Sequence, residues 1–273
     1  MPRRRQCRKL QNVNCVSSGA GVVVGAAIGI FVSFRTNQAY DRWWEGRKLW
    51  GRLINESRHW ASQVTKYVED PQVRTRLVHR HVAYVHALRC ALRKEDPFVD
   101  DDFRARIAVS GDDPAALHEE SNLGHALLDL QLEAVVALSA AGRLSELRVQ
   151  SMDQSLRELV NVQGGCERIK ATPIPYSYNI LLHRIVFVYC FALPLGLVSI
   201  EGLGQYTPIV CLLISYAFFG LDAVGDEIED PFGEDINDLP LATITRMIEV
   251  NLLERLGEED MPPFLEPKDG VLR

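Results

Sequence analysis

Carboxylates crowd one short stretch of this sequence: Asp222, Asp226, Glu227, Glu229, Asp230, Glu234, Asp235 and Asp238. A hard cation asks for such density, since calcium takes six or more oxygen ligands. Pro231 and Gly233 turn the chain here, which makes Glu234, Asp235 and Asp238 the candidates for a cation-binding acidic turn. The alternating Asp-x-Asp-x-Asp-Gly run of a calcium loop is missing, however, and a solvated acidic turn accounts for the same residues. His79, His81 and His86 fall in one helical stretch without the three- or four-residue spacing of a metal pair, so surface positions are expected for them. His183 differs, because it stands beside Arg184 at the edge of an apolar segment. Ionisable groups at membrane depth are expensive and often line a polar path; the alternative is that both reach out to the interface. The six cysteines are scattered with no CxxC pair, which reads as buried thiols with no metal site and no disulfide framework. No nucleophile elbow, P-loop, dinucleotide fingerprint or zinc motif occurs, so neither an enzyme nor a cofactor is expected. The net charge of -6 argues against a nucleic-acid partner.

The elements that must position these residues are helical. From Val16 to Phe34 there is no charged side chain, a run about long enough to span a ~30 Å hydrocarbon core. Gly21, Gly25, Gly29 and Ser33 recur every four residues, the kind of stripe on which neighbouring helices approach closely in lipid. Ala26, Ile30 and Phe34 form an adjacent stripe of increasing size, and spacing alone favours plain packing against other helices for both stripes. Tyr40, Trp43, Trp44 and Trp50 then arrive interleaved with Arg35, Arg42, Arg47 and Lys48, the composition of a helix leaving lipid through an aromatic belt into a basic flank. The basic start and apolar stretch resemble a signal peptide, but no cleavage site precedes Phe34.

Leu49, Leu53, Trp60, Val64 and Val68 keep helical spacing, so the helix continues into water until Asp70-Pro71. Residues 72–94 resume a helical pattern, the acidic 95–114 stretch reads as a loop, and 115–141 and 143–164 read as two amphipathic helices broken near Gly142. These middle helices suit an antiparallel bundle. Gly164-Gly165 opens a break, and Pro173 and Pro175 bracket Ile174. Apolar segments at 180–200 and 206–225, joined by a short turn with Glu201 at its tip, predict a membrane hairpin. A last amphipathic helix covers 239–256, and a Pro-rich tail follows at 257–273.

Three blocks of this chain resemble the bestrophin family of ion channels: FRTNQAYDRWWEGRKLWG at 34–51, ERIKATPIPYSYNILLHRI at 167–185 and EIEDPFGEDINDLPL at 227–241. The resemblance implies a homopentamer around one axial pore, embedded in lipid and permeated passively by small ions. It implies a hydrophobic pore neck at Ala26, Ile30 and Phe34 and a second, cytosolic constriction at Ile174. Apolar rings of this kind gate by dewetting. Animal members bind calcium through an unbroken acidic run, which Ile236 and Asn237 interrupt here, so calcium gating is not expected. The family has four membrane helices; this chain offers three, and a basic segment at 1–15 stands in the place of the first, which suggests a truncated or misassigned start.

The combined expectation is a mostly α protein whose membrane helices run on into a cytosolic helical bundle, with pentameric channel architecture and one channel domain over 16–256. It is a multi-pass protein of the cell membrane, the inner membrane of a bacterium. Its expected function is a passive ion channel permeable to anions such as chloride. The alternative is a non-conducting, membrane-anchored helical scaffold, and ion flux separates the two.

Overall fold

The structure is a computed structural model. It describes the backbone of residues 3–198, 200 and 202–267, and side chains from Val23 onward. The basic cluster before residue 10, Gly21 and the tip residue Glu201 therefore lie outside the described side chains. Among the described residues there are helices and no strand. The elements are α1 (Arg3–Tyr67), α2 (Pro71–Arg93), α3 (Asp101–Ser110), α4 (Pro114–His118), α5 (Leu123–Ala140), α6 (Glu146–Ala171), α7 (Tyr176–Leu197), α8 (Thr207–Glu227) and α9 (Leu241–Leu256), with a 3₁₀ turn at Gly204–Tyr206.

The chain packs as two compact units. One is Met1–Trp43 with Pro173–Asp230; the other is Trp44–Thr172 with Pro231–Arg273.

The first unit consists of the first part of α1 with α7 and α8. Ile28 and Val32 of α1 meet Val186 of α7, with Ile185, Tyr189, Cys190 and Phe218 around them. The small residues of α1 lie where neighbours come close. A Cβ at Gly25 would run into the Tyr189 ring, and one at Gly29 would lie 4.0 Å from Phe218. Tyr189 and Phe218 meet edge to face with centroids 5.5 Å apart. Gly25 and Gly29 thus pack against α7 and α8. The outer faces of α7 and α8 remain apolar and exposed: Leu181, Phe187, Val188, Phe191 and Leu195 on one, Ile209, Leu212, Leu213, Tyr216 and Leu221 on the other. Both helices are long and apolar enough to cross a membrane. An exposed apolar surface of this extent belongs in lipid or against another subunit.

The second unit is a helical bundle centred on α2. Asp70 caps α2, accepting from the Gln72 and Val73 amides, and Pro71 occupies the first turn, where its missing N–H costs nothing. Leu53, Trp60 and Val64 of α1 are buried, as are Val78, Val82, Val85, Leu88 and Leu92 of α2. α5 also has the length and composition of a span. Yet it carries Asp129 and Glu133 and buries Leu127, Leu128, Gln131 and Val135 in a helix packed on α2 and α6, which makes it a bundle helix.

Three local expectations are corrected. The 95–114 stretch is not all loop: α3 forms there because Asp100 caps the Phe103 amide and Gly111, at φ 75°, closes the other end. Gly164-Gly165 does not break α6, which runs on to Ala171. Gly165 is there for close approach, since a Cβ would lie 2.9 Å from Leu49. His79, His81 and His86 are not surface residues; all three are buried, because α2 packs against α3, α5, α6 and α9. His81 sits between Ser57 Oγ at 3.0 Å and Gln131 Oε1 at 3.3 Å, and burial pushes its imidazole down to about 4. His79 meets Glu258 at 2.6 Å.

The expectation of buried thiols holds for two of the cysteines; Cys190 and Cys211 are only partly buried, and Cys7 and Cys15 lie outside the described side chains. Cys90 and Cys166 are free and buried, and burial pushes the Cys166 thiol up to about 12.

Candidate functional site

The predicted neck residues share one face of α1. Ala26, Ile30 and Phe34 are exposed, Ile30 by 56% and Phe34 by 57%. Ile28, Val32 and Ala39 are buried. At 3.6 residues per turn these two sets lie on opposite sides of the helix. The sequence of α1 therefore divides its faces: one side holds α1 against α7 and α8, and the other offers a stripe of increasing apolar bulk. Such a stripe is inert chemically. What it can do is narrow and dry a passage.

Arg35, next to Phe34 in sequence, lies on the buried side and is 1% exposed. Its guanidinium reaches three segments. Nε donates to Asn179 Oδ1 of α7 at 3.1 Å. Nη1 donates to Asp222 Oδ1 of α8 at 2.6 Å and to the Asp222 carbonyl at 3.3 Å. Nη2 donates to Asp226 Oδ1, and Glu229 Oε2 lies 3.9 Å away. The Asn179 amide in turn donates to Glu229 Oε2 at 3.0 Å, and Glu229 Oε1 accepts the Ile174 backbone N–H at 3.0 Å. Two turns along α1, Arg42 Nε donates to the Glu229 carbonyl at 3.1 Å. A continuous hydrogen-bonded network thus runs from α1 to the proline-bracketed segment. Tyr40 and Trp43 stack just beyond it, with centroids 6.3 Å apart.

His183 joins the same network. Its Nδ1 hydrogen-bonds Asp222 Oδ2, and its Nε2 lies 3.5 Å from Asp226 Oδ2. Each aspartate is therefore shared between Arg35 and His183. Of the two residues singled out in sequence, His183 turns inward to this cluster, while Arg184 is exposed.

Ile174 is placed differently from the neck residues. Its side chain is 7% exposed, and its amide is held by Glu229.

The acidic turn is spread out. Glu234 and Asp235 are exposed. Asp238 accepts the Asp235 amide at 2.8 Å, and Glu234 lies 3.6 Å from Arg93. Among the described residues two triads bring ligand-type atoms together: His183, Asp222 and Asp226, and His86, Asp102 and Glu249. Neither includes Glu234, Asp235 or Asp238. In the second triad Arg246 donates to Asp102 at 2.6 Å and Arg106 to Glu249 at 2.7 Å. Burial raises the Glu249 carboxyl, but His86, Arg246 and Arg106 outweigh it and hold the group below the usual carboxylate range. A metal ion there would meet two fixed guanidiniums, so this cluster reads as a buried ion-pair network.

The Arg35 network went unrecognised in sequence. The available signals were an arginine in register with the apolar stripe of Ile28 and Val32, and Asp222 closing an apolar run; an ionisable residue in such a place calls for a partner.

Comparison with known proteins places this arrangement. Residues 8–254 match the family described as Bacterial/Fungal Bestrophin protein. A voltage-dependent anion channel-forming protein of Mesorhizobium japonicum is 39% identical over 247 residues, covering 90% of this chain and 77% of the relative. A protein of the same description from Escherichia coli is 36% identical, covering 90% and 79%. The crystal structure of a bacterial bestrophin homologue from Klebsiella pneumoniae superposes with a TM-score of 0.81 at 35% identity, covering 89% of this chain and 88% of the other.

Proposed function

This chain belongs to the bacterial and fungal bestrophin family, and on that premise we propose that it forms an anion-permeable channel in the cell membrane, the inner membrane of a bacterium. The observation that carries the reading is the division of α1 into a buried stripe and an exposed apolar one at Ala26, Ile30 and Phe34. In a ring of identical chains that exposed stripe forms a hydrophobic neck around one axial pore. The relatives described as anion channel-forming proteins support the choice of permeant. The exposed apolar faces of α7 and α8 supply surface for lipid and for neighbouring subunits in a homopentamer. We read the channel as passive, without enzymatic chemistry, and as independent of calcium, since Glu234, Asp235 and Asp238 do not converge on a common point.

Purified protein in planar bilayers under a chloride gradient tests the reading, together with its mass in detergent. A reversal potential near that of chloride and a pentameric mass are expected. A membrane that stays non-conducting with a correctly assembled protein would instead favour a scaffold. A reversal potential near that of the cation would overturn anion permeation.

A further inference from the structure

We propose that Arg35 is a positioning residue for the neck: its buried guanidinium fixes the rotation of α1 about its own axis, and so sets how far Ile30 and Phe34 project into the pore. The inference rests on the neck reading above and adds a residue that no ion touches.

The packing of α1 explains why such a device is needed. Toward α7 and α8 the helix presents Gly25 and Gly29, which carry no side chain, and the short apolar set of Ile28 and Val32. Van der Waals contact of this kind holds two helices together but is weakly directional. The guanidinium is directional: its donors form a rigid planar fork. Arg35 uses that fork on Asn179, Asp222 and Asp226, so α7 and α8 together fix its direction from α1. Arg42, on the same face two turns later, holds the Glu229 carbonyl and repeats the constraint. Phe34 is the immediate neighbour of Arg35, so any rotation that carries one carries the other. With side chains about 5–6 Å from the helix axis, a rotation of about 20° moves the ring by about 2 Å. Displacement on that scale, repeated in every subunit, decides whether an apolar ring is wet or dry.

The arrangement also explains the asymmetry of charge. One arginine faces Asp222, Asp226 and Glu229, and His183 takes up the second oxygens of both aspartates. The carboxylates surround Arg35 from several sides, which pins a long, flexible side chain in one direction.

The test uses full-length protein in liposomes and reads the permeability ratio of a large anion, gluconate, to chloride. This ratio is independent of how many channels assemble, so a residue that only helps folding does not move it. Arg35→Lys keeps the charge but cannot reach all its partners at once. Asn179→Leu removes one direction of the fork without changing charge, and it decides the matter if the lysine variant fails to assemble. Each is expected to shift the ratio by about two- to thirtyfold, the range seen for residues coupled to a site they do not touch. Neither is expected to shift it further in an Ile30→Ala/Phe34→Ala background. Native ratios in both variants, alongside a changed ratio in Ile30→Ala/Phe34→Ala, would overturn the positioning role alone. An unchanged ratio in Ile30→Ala/Phe34→Ala itself would overturn the neck, and the positioning role with it.

Discussion

Arg35 Nη1 and Asp222 Oδ1 lie 2.6 Å apart, and their side chains are 1% and 6% exposed. A buried pair of this kind is costly to break from one side: without Arg35, Asp222 keeps His183 but loses its guanidinium while staying buried. Arg35→Met is therefore expected to destabilise the assembled protein by about 3–5 kcal/mol. Arg35→Met/Asp222→Leu is expected to recover part of the loss. Thermal unfolding in detergent measures both, and a double variant less stable than the single one would contradict the pairing.

At Gly25, α1 comes close to Tyr189 of α7. Gly25→Ala places its methyl against the Tyr189 ring and is expected to cost about 1–3 kcal/mol, as overpacking does. Adding Tyr189→Phe, which removes the nearest atom, should recover part of that cost. Unaltered melting of Gly25→Ala would show that the helices stand further apart.

The second unit should weaken in mild acid. Burial pushes the His81 imidazole down to about 4, below its ordinary value of about 6.5. The unfolded chain therefore takes up the proton first. The stability that neutral His81 contributes is complete above about 6.5 and is lost as pH falls toward about 4, by up to roughly 3 kcal/mol. Glu249, held below the usual carboxylate range, loses its contribution only as pH falls through that range. His81→Gln should flatten the fall in melting temperature between pH 7 and pH 4.5. Parallel curves for the two proteins would rule out His81 as the source.

Much of this architecture was legible because lipid imposes a simple demand. Apolar runs near 180–200 and 206–225 became α7 and α8, and Asp70-Pro71 separated α1 from α2. What escaped notice depended on distant partners. Arg35 acquires meaning from Asn179 and Asp226, 144 and 191 positions away. The histidines of α2 read as surface residues because nothing local shows that α2 is surrounded. Gly165 looked like a breaker because its neighbour Leu49 belongs to another helix. Helix α3 was hidden in acidic composition, although Asp100 and Gly111, its caps, were in plain view. The stripe of Ala26, Ile30 and Phe34 was visible as spacing; only the fold shows that it lies opposite the buried face of α1.

Micromolar calcium should leave ion flux unchanged. Asp238 is engaged with the Asp235 amide, and Glu234 and Asp235 point no converging oxygens at a shared centre among the described residues. Asp235→Ala should likewise conduct as the native chain does. A steep calcium response that Asp235→Ala abolishes would show a cation site in this turn.

The central claim is that Ile30 and Phe34 line a conducting pore. Chloride efflux from liposomes holding equal amounts of assembled native and Ile30→Ala/Phe34→Ala protein tests it most directly. The account predicts measurable native efflux and a faster rate in the double variant, because a wider and less apolar ring dries less readily. Equal rates in two conducting proteins would contradict it.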